Sequence, residues 1–95
     1  MPVKIYTEKY LERKLGEELR KVGGWAVKFP ASFVAGLPDR LCLLPGGRVI
    51  FAEIKETGKK PTEIQKFIHG KLRGMGFEVL VVDSYSIIED IISRV

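Results

Sequence analysis

"GLPDRLCLLPGGRVIFAEIK" (residues 36–55) is the stretch on which the reading of the whole chain turns. Two apolar runs, near 39–44 and 48–55, flank Pro45-Gly46-Gly47, the composition of a β-hairpin. Yet Asp39 stands at one end, and Glu53 and Lys55 stand at the other. Side chains alternate along a strand, so Phe51, Glu53 and Lys55 share one face and Ile50, Ala52 and Ile54 the other. On the preceding strand Asp39, Leu41 and Leu43 share a face. With a three-residue Pro45-Gly46-Gly47 loop, Leu44 opposes Arg48, and counting back in antiparallel pairs sets Asp39 opposite Glu53. Directly opposed Cβ atoms lie about 4.5–5.5 Å apart, where like charges are unfavourable. A two-residue Gly46-Gly47 loop slips the register by one and sends the acids to opposite faces.

Two carboxylates forced together need a proton or a cation between them. An all-oxygen site of this kind suits Mg²⁺ or Mn²⁺. Lys55, one strand repeat beyond Glu53, could position or deprotonate a water or stabilise phosphate charge. The plainer reading of the same residues is a turn aspartate after Pro38 and a solvated edge strand carrying Glu53 and Lys55.

Outward from the hairpin, Leu11, Leu15, Leu19 and Val22 fall on one face of a helix over 7–22, capped by Thr7 and ended by Gly23-Gly24. Residues 25–29 read as a strand, and 30–37 as a loop. Thr62 and Gln65 have capping-box spacing, opening a helix whose apolar face is Ile64, Phe67, Ile68, Leu72 and Met75. Residues 77–82 read as a strand covered on both faces. Asp83 or Ser84 caps a last helix with Ile87, Ile88, Ile91 and Ile92 inward. The order α-β-β-β-α-β-α, with a crossover from 48 to 82 long enough for a parallel connection, predicts an α/β fold with a mixed sheet of about four strands.

Length is 95 residues, which points to one domain spanning 1–95. Sixteen Lys and Arg against twelve Asp and Glu give a formal net charge of +4, a mild pointer to a polyanionic partner. No apolar run approaches about 18 residues, so no membrane span is expected. MPVKIYTEKY has no apolar signal-peptide core, and the lone Cys42 excludes a disulfide framework; a cytoplasmic setting fits both. Cys42 reads as a small buried side chain, Trp25 as core, and the sole histidine, His69, as a surface residue.

Pro38-Asp39 followed by Glu53-Ile54-Lys55 resembles the PD-(D/E)xK nuclease signature. The flanking G-G at 23–24, K-F at 28–29, G-L-P-D-R-L at 36–41, T-x-x-Q at 62–65 and G-F-x-V-x-V-V-D-S at 76–84 are similar to small VRR-NUC domain proteins, found alone in phages and bacteria and as modules of larger repair enzymes. The resemblance implies a restriction-endonuclease-like α-β-β-β-α-β core with a C-terminal helix, and a Mg²⁺- or Mn²⁺-dependent endonuclease acting on DNA in a bacterial or phage-infected cytosol. It implies Asp39, Glu53 and the Ile54 carbonyl as metal ligands and Lys55 as the catalytic lysine. Gln65 orients the lysine or the water, and an acid on the first helix, best matched by Glu12, completes the site. Glu8, one turn earlier, lies within the same arc, and Gln65 has a rival role as the capping-box residue. Lys28, Arg40, Lys59 and Lys60 are the foremost candidate phosphate contacts, with Arg48 and Lys66 behind them. A nuclease this small is expected to act as a homodimer on duplex or branched DNA such as a four-way junction, with the isoleucine-rich last helix and Phe33-Val34-Ala35 as contacts. The alternative is a catalytically silent nucleic-acid-binding or subunit module that keeps the fold.

Overall fold

Leu11, Leu15 and Leu19 recur at helical spacing and are fully buried, the inner stripe of α1 (Glu8–Lys21), in a computed structural model that describes residues 4–30 and 34–95. The Thr7 hydroxyl accepts the Tyr10 N–H and caps this helix. Then follow β1 (Trp25–Lys28), β2 (Arg40–Leu44), β3 (Arg48–Ile54), α2 (Glu63–Gly74), β4 (Glu78–Val82) and α3 (Tyr85–Ile92). The sheet order is β1-β2-β3-β4; the first two pairings are antiparallel and β3–β4 is parallel. The fold is thus mixed α/β with four strands and three helices, as the sequence pattern predicts.

The hairpin turn spans Pro45-Gly46-Gly47, and Leu44 pairs with Arg48. Gly46 and Gly47 have φ of 88° and 82°, a region a Cβ disfavours. This three-residue loop sets the register that runs from Leu44↔Arg48 to Arg40↔Ala52. The next pair in that sequence is Asp39 and Glu53.

The two faces of the sheet are covered unequally. On one, Cys42, Leu44, Ile50, Ala52 and Ile54 pack with the α1 leucines and with Ile88 and Ile91 of α3 into a continuous core. Ile87 and Ile92 pack against the same cluster. Ile88 and Ile91 of the last helix are thus spent inside the chain, while Ile87 and Ile92 remain half-buried beside the core.

The other face carries Trp25, Val27, Leu41, Leu43, Val49 and Phe51, none of them fully buried. Phe51 stacks on Phe29, with ring centroids 6.5 Å apart, and meets Phe77 edge-on at 5.6 Å. Trp25 is 65% exposed, which corrects its reading as core: it opens an edge strand that α2 does not reach across to cover.

α2 lies on this second face beside β4. At about 100° per residue, Leu72, Gln65 and His69 fall within an arc of about 60°, and that arc faces the sheet. Ile64, Phe67 and Met75 fall to one side of it and are exposed, Phe67 by 69%. Of the predicted apolar face only Ile68 and Leu72 are partly buried. The helix also presses on the loop before β2: a Cβ on Gly36 would meet the Ile64 carbonyl oxygen at 2.7 Å. Of the predicted contact loop, Val34 and Ala35 are exposed, and Phe33 lies outside the described residues. Among the described residues no helix is long and apolar enough to cross a membrane.

Candidate active site

Where β2 begins and β3 ends, a cavity of about 270 Å³ opens between Phe29 and Pro30, residues 34–39, α2 and the start of α1. Its polar lining is Glu8, Asp39, Glu53, Lys55 and Gln65. A broader depression of about 460 Å³ on the outside of α1 is lined by Thr7, Lys9, Tyr10, Glu12 and Arg13; it holds no paired acids.

Asp39 and Glu53 meet here, close enough for their carboxyls to share a hydrogen bond. Glu53 is only 3% exposed. Burial first, and then the Asp39 charge beside it, push its carboxyl up to about 8; Lys55 opposes this. Burial also raises Asp39, against the pull of the Ile54 N–H, which donates to both of its oxygens at 3.2 and 3.4 Å. The negative charge of Glu8 raises both carboxyls further.

Within an extended strand the N–H and C=O of one residue point to the same side. The Ile54 carbonyl therefore lies on the Asp39 side. Among the described residues no three or more His, Cys, Asp and Glu side chains are grouped to hold an ion. Two carboxylates with a backbone carbonyl, the remainder being water and substrate, is nonetheless the donor set a small hard cation takes. Burial is the largest cause of the raised proton affinity of both acids, with nearby negative charge adding to it: Glu8 on both, and Asp39 on Glu53. The residues fit a divalent cation.

Gln65 fills two roles in a single conformer. Its Oε1 accepts the Thr62 N–H at 2.8 Å, completing the capping box, and that fixes the amide so that Nε2 donates to Glu53 Oε2 at 3.3 Å. The Gln65 side chain thus meets Glu53, where the family resemblance implies the lysine or the water.

Glu12 is not drawn into the cavity. Its carboxylate is hydrogen-bonded to the Arg40 guanidinium, and Lys28 Nζ lies 3.8 Å away. Arg40 is 6% exposed, and its Nη1 donates to the Asp39 carbonyl at 3.1 Å. Alternation along β2 explains this: Arg40 points to the α1 side, opposite to Asp39. Arg40 is therefore an internal strut between α1 and β2, buried where an exposed phosphate contact was expected. The α1 acid that does line the cavity is Glu8. Lys28, Lys59 and Lys60 are exposed.

His69 also departs from expectation. It is 1% exposed, the one buried residue of α2, with Nε2 3.4 Å from Glu53 Oε1. Its position one turn after Gln65 was the available signal, since residues four apart on a helix reach the same point.

The acids and the lysine thus gather at one end of a four-stranded mixed sheet. A solved structure described as a VRR_NUC domain matches 93% of this chain and 97% of its own, with a TM-score of 0.82 and 29% identity. Over 82 residues, 86% of this chain and 88% of the relative, the sequence is 43% identical to "Putative nuclease p44" of Acyrthosiphon pisum secondary endosymbiont phage 1. No protein-family profile matches the chain. The chain belongs to the VRR-NUC family of nucleases.

Two predictions follow from these placements. Glu12→Ala leaves the buried Arg40 short of an acceptor and should cost about 1–3 kcal/mol in urea unfolding. Glu8→Ala should stay within about 0.5 kcal/mol of wild type while lowering nuclease activity; equal stability losses for the two would contradict the division. In metal-free protein, the stability Glu53 contributes is complete below about pH 4.5 and is lost as pH rises through about 8. Glu53→Gln in EDTA should therefore match wild type near pH 4.5 and exceed it above pH 8; a gap that does not change with pH contradicts the buried pair.

Proposed function

We propose that this nuclease is a Mg²⁺- or Mn²⁺-dependent endonuclease that hydrolyses DNA phosphodiester bonds. The observation that carries the reading is the Asp39–Glu53 carboxyl pair lining a cavity that Lys55 also lines. Asp39, Glu53 and the Ile54 carbonyl would hold the ion, which when bound would supply Lewis-acid stabilisation of the phosphate charge. Lys55, on the same strand face as Glu53, orients the attacking water or takes its proton, or alternatively stabilises charge growing on the phosphate oxygens. Gln65 keeps Glu53 in place through its Nε2 donor. Exposed Lys28, Lys59 and Lys60 and the net charge of +4 supply the backbone attraction, and Lys59-Lys60 precede the N-terminus of α2, itself favourable to anions.

Supercoiled plasmid should be nicked in Mg²⁺ or Mn²⁺ and not in EDTA. Asp39→Ala should reduce nicking to background, and Lys55→Ala should lower it by about 10²-fold or more. DNA binding should survive both changes and weaken as salt rises. Wild-type cutting by either variant contradicts the mechanism, and binding without any metal-dependent cutting favours the silent-module alternative.

We further propose a homodimer acting on branched DNA, with the contact moved from the last helix to the open sheet face and its rim. Trp25, Phe67, Ile64 and Met75 are all exposed there. Sedimentation equilibrium should give a dimer, and Phe67→Glu should raise its dissociation constant at least about tenfold, the cost of one charge placed against an apolar partner. A monomeric wild type, or a dimer indifferent to Phe67→Glu, contradicts this surface.

A further inference from the structure

The geometry points to His69 as a positioning residue that, together with Gln65, locks the plane of the Glu53 carboxylate for cation binding; this rests on the metal-site reading above. Three observations carry it. First, Glu53 ends in an sp³–sp² torsion, which is intrinsically broad, so the strand alone does not fix where its two oxygens point. Second, each oxygen has its own contact from α2: Oε2 takes the Gln65 Nε2 hydrogen at 3.3 Å, and Oε1 faces His69 Nε2 at 3.4 Å. Residues 65 and 69 are one helical turn apart, so a single rigid element grips both ends of the carboxylate.

Third, His69 occupies a place that packing alone does not require to be polar. It is the one buried residue on a helix that leaves Ile64, Phe67 and Met75 to solvent. An apolar residue would fill this pocket without the cost of burying an imidazole. An ionised carboxylate only accepts hydrogen bonds, so at Oε1 the imidazole donates through Nε2. With both oxygens held from the α2 side, the remaining lone pairs of Glu53 are turned toward Asp39 and the cavity. Partners of this kind orient a ligand without touching the ion, and their loss costs about 10–100-fold in metal affinity.

The test is Mn²⁺ binding to the full chain by isothermal titration calorimetry, with kcat and KM measured alongside and folding checked by circular dichroism. His69→Phe should weaken Mn²⁺ binding at least tenfold and lower kcat with KM for DNA nearly unchanged. His69→Gln, whose amide nitrogen can reach the same oxygen, should restore Mn²⁺ affinity to within about threefold of wild type. A folded His69→Phe protein that binds Mn²⁺ within twofold of wild type overturns the inference. If His69→Phe fails to fold, a folded His69→Gln protein that loses tenfold overturns it equally, and one that keeps its affinity supports it. Asp39→Asn separates this from the underlying reading. If Asp39→Asn loses Mn²⁺ while His69→Phe keeps it, only the role of His69 falls; if Asp39→Asn binds as wild type does, the metal site falls with it.

Discussion

The crowding of two carboxyls across the open end of a hairpin is the constraint around which the rest of this protein is arranged. Neither Asp39 nor Glu53 is unusual alone. They become so because the Pro45-Gly46-Gly47 turn sets Leu44 against Arg48 and carries that register down both strands. A turn one residue shorter would leave the same composition and no pair. Burial, with the Asp39 charge beside it, raises the Glu53 carboxyl to about 8, and a small divalent cation would relieve that crowding of negative charge.

The two sides of the sheet then divide the work. The α1/α3 side is a dry core of Leu11, Leu15, Leu19, Ile50, Ile88 and their neighbours, and it holds the strands in register. On the α2 side polar contacts also join helix to sheet: Gln65 and His69 meet Glu53 at the site, and away from it Arg73 donates to the Val79 carbonyl at 2.8 Å. Arg40 links the sides, with its guanidinium on Glu12 of α1 and on the Asp39 carbonyl. Strain or loss on either side therefore reaches the carboxyl pair through one or two contacts.

Much of this was legible in the residues. Strand alternation and one turn length place Asp39, Glu53 and Lys55 together, and the Thr62/Gln65 spacing announces the capping box that the structure contains. What escaped reading depends on which way a face turns. Arg40 follows Asp39 and so points to the core side, a consequence of alternation masked by the habit of placing arginines outside. The apolar residues of α2 span a wide arc, and pattern alone does not say that Gln65 and His69 take the inner part of it while Phe67 takes the outer. Glu8 and Glu12 lie one turn apart on the same helix, and only the guanidinium waiting beneath Glu12 separates a strut from a site residue.

The measurement that bears most directly on the carboxyl pair is anomalous diffraction from crystals grown or soaked in Mn²⁺, with Asp39→Asn as control. A metal site made by the hairpin register requires an anomalous peak within bonding distance of both the Asp39 and Glu53 carboxylates, on the side of the Ile54 carbonyl, and its loss in Asp39→Asn. Crystals that hold Mn²⁺ elsewhere and leave these two carboxylates in contact only with each other would contradict it.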